Sequence, residues 1–406
     1  MTPPPAGHSR RVLMLLGNNP YPQDPRVRKE ATALHGAGHH VTVLAPRHGS
    51  QPFREDVGGV SVVRFPWLFQ GSGFVSQALD HVSAAVFALG LTPLIAIREG
   101  FDVVHVHNPP DTFGLVAALW QLRSRKFVYD HHDLAAEMYL ARSGDAARGV
   151  VRRSLEMLER LCCRRSDRVI ATNASYREVE VNVHGTPPER ISIVRNGPDT
   201  QRFPVAGSSD TPTTSDGDTV VCYAGVIGVQ DGVDELVRAM HHLVHHLHRV
   251  DIRCVVVGDG DGLSQARCLA ERLGVASFMD FTGLLEFDQL VERVSAADVC
   301  VEPAPSNPYN DRSTTIKIME YLAAGKPVVA YDLPEHRVTG GDVVQFVPAN
   351  HPACLAQAIV ALADDPARRR ELGRVGRLRS EQHLDWVHQA PALLRAYELL
   401  DGSADG

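Results

Sequence analysis

The chain has 406 residues, too many for one ordinary core, and its length predicts two domains of about 150 to 200 residues each. Hydrophobic residues make up 44% and charged residues 22%, as suits a soluble globular protein. The net charge of −7 argues against a general attraction to nucleic acid or to an anionic membrane, leaving only local basic patches for such contacts.

The lead-in "MTPPPAGHSRR" lacks the apolar core of a signal peptide. "RVLMLLG" (11–17) is a continuous apolar run ending in glycine, the pattern of a buried parallel strand. The segment "RVRKEATALHGAG" places Val27, Ala31 and Leu34 on one helical face and stops at Gly36 and Gly38. "HHVTVLAP", "GVSVVRF", "DVVHVHN", "KFVYDHHD" and "RVIATN" follow as strands, with "SLEMLERLCCRRS" and "ASYREVEVNVHG" as helices between them. The alternation predicts a doubly wound parallel sheet. "VSAAVFALGLTPLIAI" (82–97) is uncharged but interrupted by Pro93, and it is shorter than the roughly 20 residues a spanning helix needs. It reads as a buried helix pair or as a surface hairpin that meets a membrane or a lipid-linked acceptor.

Residues 204–218, rich in Ser, Thr, Pro, Gly and Asp, form the best linker. The alternation then restarts with "TVVCYAG", "IRCVVVGDGDG", "SFMDFTG", "DVCVEPAP", "KPVVAYD" and "VVQFVP", and helices run to the end. Two Rossmann-like halves facing across a cleft follow, with ligands beyond the carboxyl ends of the strands. Seven irregularly spaced cysteines read as reduced, mostly buried thiols of a cytosolic protein.

"STTIKIMEYLAAGKPVV" (313–329) carries a polar stripe on an apolar helix. With Ser313 as cap, the amides of Thr314, Thr315 and Ile316 and the helix dipole favour an anion. Lys317 adds positive charge on the same face, and Glu320, a turn deeper, offers a bidentate acceptor for a diol. The order matches a nucleoside diphosphate; the plainer alternative is a surface Lys–Glu pair. Gly17-Asn18 and the Gly225 to Gly228 turn end strands, where glycine lets a backbone approach a phosphate. "GDGDG" (258–262) departs from the dinucleotide fingerprint at Leu263, which counts against a nicotinamide enzyme. "YDHHDLAAEMY" gathers Asp130, His131, His132, Asp133 and Glu137 at a strand end, but neighbours on a strand alternate faces, which disfavours a metal. The histidines of 241–248 fall largely opposite an apolar helix face and read as solvated.

Together, "DPRVRKEATALHGAGHHVTVLAP", "FDVVHVHNPPD", "YDHHDLAAEM", "SDRVIATN", "IVRNGPD", "YAGVIGVQDGVDEL", "VVVGDGDG", "FTGLL", "AADVCVEPAP" and "STTIKIMEYLAAGKPVVAYDLPE" resemble the retaining GT-B glycosyltransferases of family 4, the group 1 transferases. The last stretch is the most specific, and the "GVIGVQDGVD" form is most similar to bacterial enzymes of surface-polysaccharide type. The resemblance implies an α/β GT-B fold with an acceptor domain at 1–203 and a nucleotide-sugar donor domain at 219–380. Residues 381–406 would form a C-terminal helix that packs back on the first domain.

It also implies that Glu320 binds the ribose and that Lys317 with the Thr314 and Thr315 amides, beside Ser313, holds the diphosphate. Gly17, Gly225 and Gly228 would line the donor site, Gly283 and Leu284 would lie by the base, and His132 would face the donor sugar. Asn18, Asp133 and Glu137 fall on the acceptor side. The expected enzyme needs no metal and no cofactor.

Two positions depart from the pattern. Arg312 stands where the family often has a first glutamate, and Asp231 stands where a lysine is common. Arg312 is expected to pair with the diphosphate instead, with Asn310 or Asp311 contacting the sugar. The expected reaction moves a sugar from a nucleotide sugar to a sugar, lipid-linked or small-molecule acceptor. It belongs to polysaccharide, glycolipid or glycosylated natural-product biosynthesis in the cytoplasm, with peripheral membrane contact through 82–97 and no nucleic acid partner. A non-catalytic nucleotide-sugar-binding protein or a sugar-nucleotide epimerase on the same fold is the alternative.

Overall fold

The computed structural model describes residues 9–69, 74–143, 149–204 and 217–401. Two compact units divide them. One takes the described residues of Met1–Leu140, Asp145–Asn196 and Gln389–Gly406; the other takes those of Ala141–Gly144 and Gly197–His388. The expected linker lies almost wholly outside the described residues.

The first unit holds β1 (Arg11–Leu15), β2 (His40–Arg47), β3 (Arg54–Val57), β4 (Val60–Pro66), β5 (Val103–His107), β6 (Lys126–His131), β7 (Arg168–Ala171) and β8 (Ile191–Ile193). They form one sheet in the order β3-β4-β2-β1-β5-β6-β7-β8, in which β3 and β4 pair antiparallel and the other pairs are parallel. Central strands are buried on both faces, which is why β1 reads as an apolar run after Arg11; β5 is buried along its whole length but carries His105 and His107. β3 is short and polar, "REDV", and nothing in its composition announces a strand.

The second unit holds β9 (Thr219–Ala224), β10 (Ile252–Val257), β11 (Met279–Gly283), β12 (Val299–Glu302), β13 (Val328–Tyr331) and β14 (Gln345–Val347), ordered β11-β10-β9-β12-β13-β14 and parallel throughout. Alternate residues of β9 feed two cores: Val221 and Tyr223 pack on one face, Val220, Cys222 and Ala224 on the other. Each sheet has one point where strand order reverses, between β1 and β5 in the first and between β9 and β12 in the second. Clefts of this fold class open there.

Residues 82–97 belong to one continuous helix, Phe74–Arg98, and not to a hairpin or a helix pair. Pro93 sits inside it on the exposed side, where water reaches the carbonyl its ring leaves unbonded. Five of the seven cysteines are buried, and all seven are free thiols. In the second unit, Pro198 O accepts from Trp386 N at 2.8 Å, and Asp385 Oδ2 accepts from Thr200 N at 3.0 Å, so the two stretches of chain near its boundary are tied side by side.

Candidate functional site

In the second unit, the helix Ile316–Ala323 starts beyond the carboxyl end of β12. Ile318, Met319, Tyr321, Leu322 and Ala323 are buried, so Lys317 and Glu320 form its one polar stripe. Tyr321 fastens it to the end of β9: its Oη accepts from Ala224 N at 2.8 Å and donates to Ala224 O at 3.2 Å. Lys317 runs across Gly225, where an added Cβ would lie 2.7 Å from the lysine Cδ.

Lys317 Nζ donates to Asp231 Oδ1 at 2.8 Å and to Tyr223 Oη at 3.1 Å, and it lies 3.5 Å from Glu302 Oε2. Burial pulls its pKa down, but the charges of Asp231 and Glu302 outweigh burial and hold it well above the usual value. Burial pushes Glu302 up to about 7 against the pull of Lys317. Asp231 also closes the glycine turn, because its Oδ2 accepts from Gly228 N at 3.0 Å. The carboxylate at the departing position therefore ties the turn to the lysine.

In the first unit, a second buried cluster sits at the β1/β5 switch point. Arg26 and Glu30 come from the helix Pro25–Gly36, His105 and His107 from β5, and Asp130 from β6. Asp130 is the hub. Its two oxygens accept from Arg26 Nη2 at 2.6 Å and Arg26 Nε at 2.7 Å, and Oδ2 also meets His107 Nδ1 at 2.9 Å and His132 Nδ1 at 3.1 Å. Burial favours the protonated acid, but the Arg26 charge wins and holds Asp130 well below the usual carboxylate range. Burial lowers His132, yet the charge and hydrogen bond of Asp130 overcome it and raise its pKa.

Glu30, 3.2 Å from Arg26, loses to burial and to the repulsion of Asp130, and its pKa is raised well above normal. Asn108 pins the neighbouring backbone: its Oδ1 accepts from His132 N at 2.8 Å and Asp133 N at 3.1 Å. Glu30, His105, His107 and Asp130 bring four ligand-type atoms within 4.8 Å of one another. Arg26 already places a cation there and occupies both oxygens of Asp130.

Several expected residues sit differently. Ser313 does not cap the helix: its Oγ donates to Tyr309 O at 2.9 Å, and the cap position belongs to Thr315, whose Oγ1 bonds His336 Nε2 at 3.0 Å instead. The surface Lys317–Glu320 pair gives way to the Asp231 and Glu302 pairs. Asn310 spends its amide on Gln230 O at 2.9 Å and Pro305 O at 2.8 Å, so it holds a loop and is not turned to a sugar. Asp311 accepts from Ser306 Oγ at 3.1 Å, and Arg312 is exposed. At Gly17 an added Cβ would lie 2.4 Å from Pro110 Cδ, so packing against the β5 loop already demands glycine there.

The remaining sites are simply located. Gly228 lies in the glycine turn, Gly283 ends β11, and Leu284 after it is 81% exposed. Thr314, Asn18, Asp133 and Glu137 are partly buried. Arg26, Glu30, His105, His107, Tyr223 and Glu302 escaped sequence reasoning. One signal was available for the histidines: spaced by two in an apolar strand, they share a face, and their rings stack with centroids 4.3 Å apart.

The family model described as "Glycosyl transferase 4-like domain" matches residues 23–197, and the one described as "Glycosyl transferases group 1" matches residues 218–365. The chain is similar to glycogen synthase of Mycobacterium tuberculosis, 27% identical over 388 residues, which cover 90% of this chain and 88% of that protein. Among solved structures it is similar to sucrose-phosphate synthase from Thermosynechococcus elongatus, with a TM-score of 0.76 and 22% identity over 97% of this chain and 100% of that one. It is also similar to Anabaena HepE in complex with UDP-glucose, with a TM-score of 0.70 and 15% identity over 96% of this chain and 99% of that one. Between them the two family models take in most of both sheets, and the chain belongs to the GT-B glycosyltransferases of group 1.

Proposed function

We propose that this glycosyltransferase moves a sugar from a nucleoside diphosphate sugar to an acceptor hydroxyl with retention at the anomeric carbon. The observation that carries the reading is Lys317, kept charged at the β9/β12 switch point beside the glycine turn, with Glu320 one turn along the same helix. In this reading the second unit takes the donor. Glu320 accepts from the ribose hydroxyls, and Lys317 with the Thr314 and Thr315 amides faces the diphosphate, while Gly283 and Leu284 lie by the base.

The bond from the anomeric carbon to the diphosphate breaks as the acceptor oxygen bonds that carbon from the same side, and the departing phosphate takes the acceptor proton. The protein stabilises the charge that develops on the diphosphate. No metal is required in this scheme. His132, held by Asp130, faces the donor sugar, and Asn18, Asp133 and Glu137 lie toward the acceptor.

Arg312 supplies the positive charge that Asp231 removes from the glycine turn. Arg312→Ala is expected to weaken nucleotide diphosphate binding severalfold, and equal affinity in a titration contradicts that role. The acceptor is a growing polysaccharide, a lipid-linked sugar or a small natural product. The enzyme works in the cytoplasm with a peripheral contact at the inner face of the membrane.

The HepE complex holds UDP-glucose, which puts that donor first in a test panel. The purified protein is incubated with each donor and acceptor class, and nucleotide release and product are followed by NMR. An acceptor-dependent product with the donor's anomeric configuration supports the reading. An inverted product contradicts retention. A converted sugar nucleotide identifies an epimerase, and binding without turnover across the panel favours the non-catalytic alternative.

A further inference from the structure

The helix Phe74–Arg98 has two unlike faces. Ala84, Ala88 and Ile95 pack into the core over the first sheet. On the opposite side Val82, Val86, Leu89 and Ile97 recur at helical spacing and stay open to solvent, Val86 at 61% and Ile97 at 82% exposure. The helix Phe113–Gln121 extends this surface. Trp120 Nε1 donates to Thr92 Oγ1 at 2.9 Å and Thr112 Oγ1 to His81 O at 3.3 Å, so the two helices lie side by side and run the same way. Leu115 and Leu119 on the second helix and Leu122 at its C-terminal cap are exposed as well, Leu122 at 80%.

The face carries almost no charge. Asp80, the one acid between Ser76 and Ile97, is buried and accepts from Trp67 Nε1 at 3.0 Å, and burial pushes His81 down to about 4, which leaves it neutral. Basic residues gather where both helices end: Arg98 and Arg123 are exposed there, and neither makes an ion pair among the described residues. The adjacent acid Glu99 is tied to Arg54 at 2.8 Å.

We infer that the outer faces of these two helices form a docking surface for a lipid bilayer with anionic headgroups. Length and a mean hydropathy of 1.6 would let Ser76–Arg98 cross a membrane, but its inner face is committed to the sheet. The helix therefore lies in the plane of the interface, with its aliphatic stripe in the acyl boundary and Arg98 and Arg123 among the headgroups. The exposed residues are Leu, Val and Ile and lack the aromatic anchors that mark strong protein interfaces. The surface deepens the peripheral placement proposed for the enzyme and does not depend on its donor chemistry.

The test is flotation of the full chain with vesicles of phosphatidylcholine alone and of phosphatidylcholine with phosphatidylglycerol. The wild type is expected to float with the anionic vesicles and to be released by high salt. Val86→Glu combined with Ile97→Glu, or Leu119→Glu alone, lowers the bound fraction at least about tenfold. Arg98→Ser with Arg123→Ser removes the preference for the anionic vesicles. Light scattering without lipid is expected to show the same oligomeric state for wild type and variants.

Absence of wild-type flotation with either vesicle overturns the inference, and that arm decides even where a variant fails to fold. A wild-type dimer that Val86→Glu dissociates, without lipid binding, assigns the face to a second copy and overturns it too. Nucleotide titration of the same variants reads the donor site separately, so a failure here is distinct from a failure of the enzymatic reading.

Discussion

Two buried charge clusters sit at the same place in two similar sheets, and they have opposite signs at the centre. In the first unit an anion is the hub: Asp130 is gripped by Arg26 and flanked by His107 and His132. In the second unit a cation is the hub: Lys317 is gripped by Asp231 and flanked by Glu302 and Tyr223. Burying an ion costs several kcal/mol unless partners surround it, so both hubs survive by being enclosed. What they achieve differs. The first cluster spends its charge on positioning, since the Arg26–Asp130 pair fixes the ring of His132, whose side chain is 16% exposed. The second holds a lysine charged beside two carboxylates, one of them only half committed to ionisation at neutral pH.

Substitutions at the two hubs probe this difference. Arg26→Ala leaves Asp130 and Glu30 buried without their cation, and a loss of about 3–5 kcal/mol is expected from urea unfolding. A midpoint equal to the wild type means the first hub is not held as described. A smaller effect is expected at Glu302. Its pKa rises from 4.5 to about 7 in the folded chain because burial outweighs Lys317. The folded state therefore binds this proton more tightly, and the stabilisation it gives is full below pH 4.5 and lost as pH rises through about 7. Glu302→Gln removes that dependence, so the variant should gain roughly 3 kcal/mol on the wild type between those limits. Parallel pH profiles of the two proteins argue against a burial-raised carboxyl.

The smallest effect concerns His132. With its pKa raised above 6.5, its contribution is full below that pH and fades as pH rises through the folded value. NMR titration should place the ring above 6.5 in the wild type and lower in Asp130→Asn. A wild-type ring titrating below 6.5 would remove Asp130 as the group that holds it charged.

The legible parts of the molecule are those in which one segment carries its own pattern. Continuous apolar runs announce β1 and β9, and the polar stripe on the otherwise apolar helix Ile316–Ala323 announces Lys317 and Glu320 as its two polar side chains. Long-range partners are not legible. Arg26 meets Asp130 across 104 positions, and Lys317 meets Asp231 across 86, so no window of sequence contains either contact. Local competition defeats other expectations. The Tyr309 carbonyl takes both the amide and the hydroxyl of Ser313, which removes it from the helix end. Pro93 reads as a divider of an apolar stretch, but a helix anchored by Ala84, Ala88 and Ile95 passes through it.

Whether the Ile316–Ala323 helix presents Lys317 and Glu320 to a nucleoside diphosphate is decided by calorimetry. The wild type and Glu320→Ala are each titrated with UDP, GDP, ADP and dTDP. One nucleotide is expected to bind the wild type, and the variant is expected to lose about tenfold or more in affinity, as when charge-assisted hydrogen bonds to the ribose are removed. Equal affinity in the two proteins, or binding of no nucleotide by the wild type, would contradict that role for the helix.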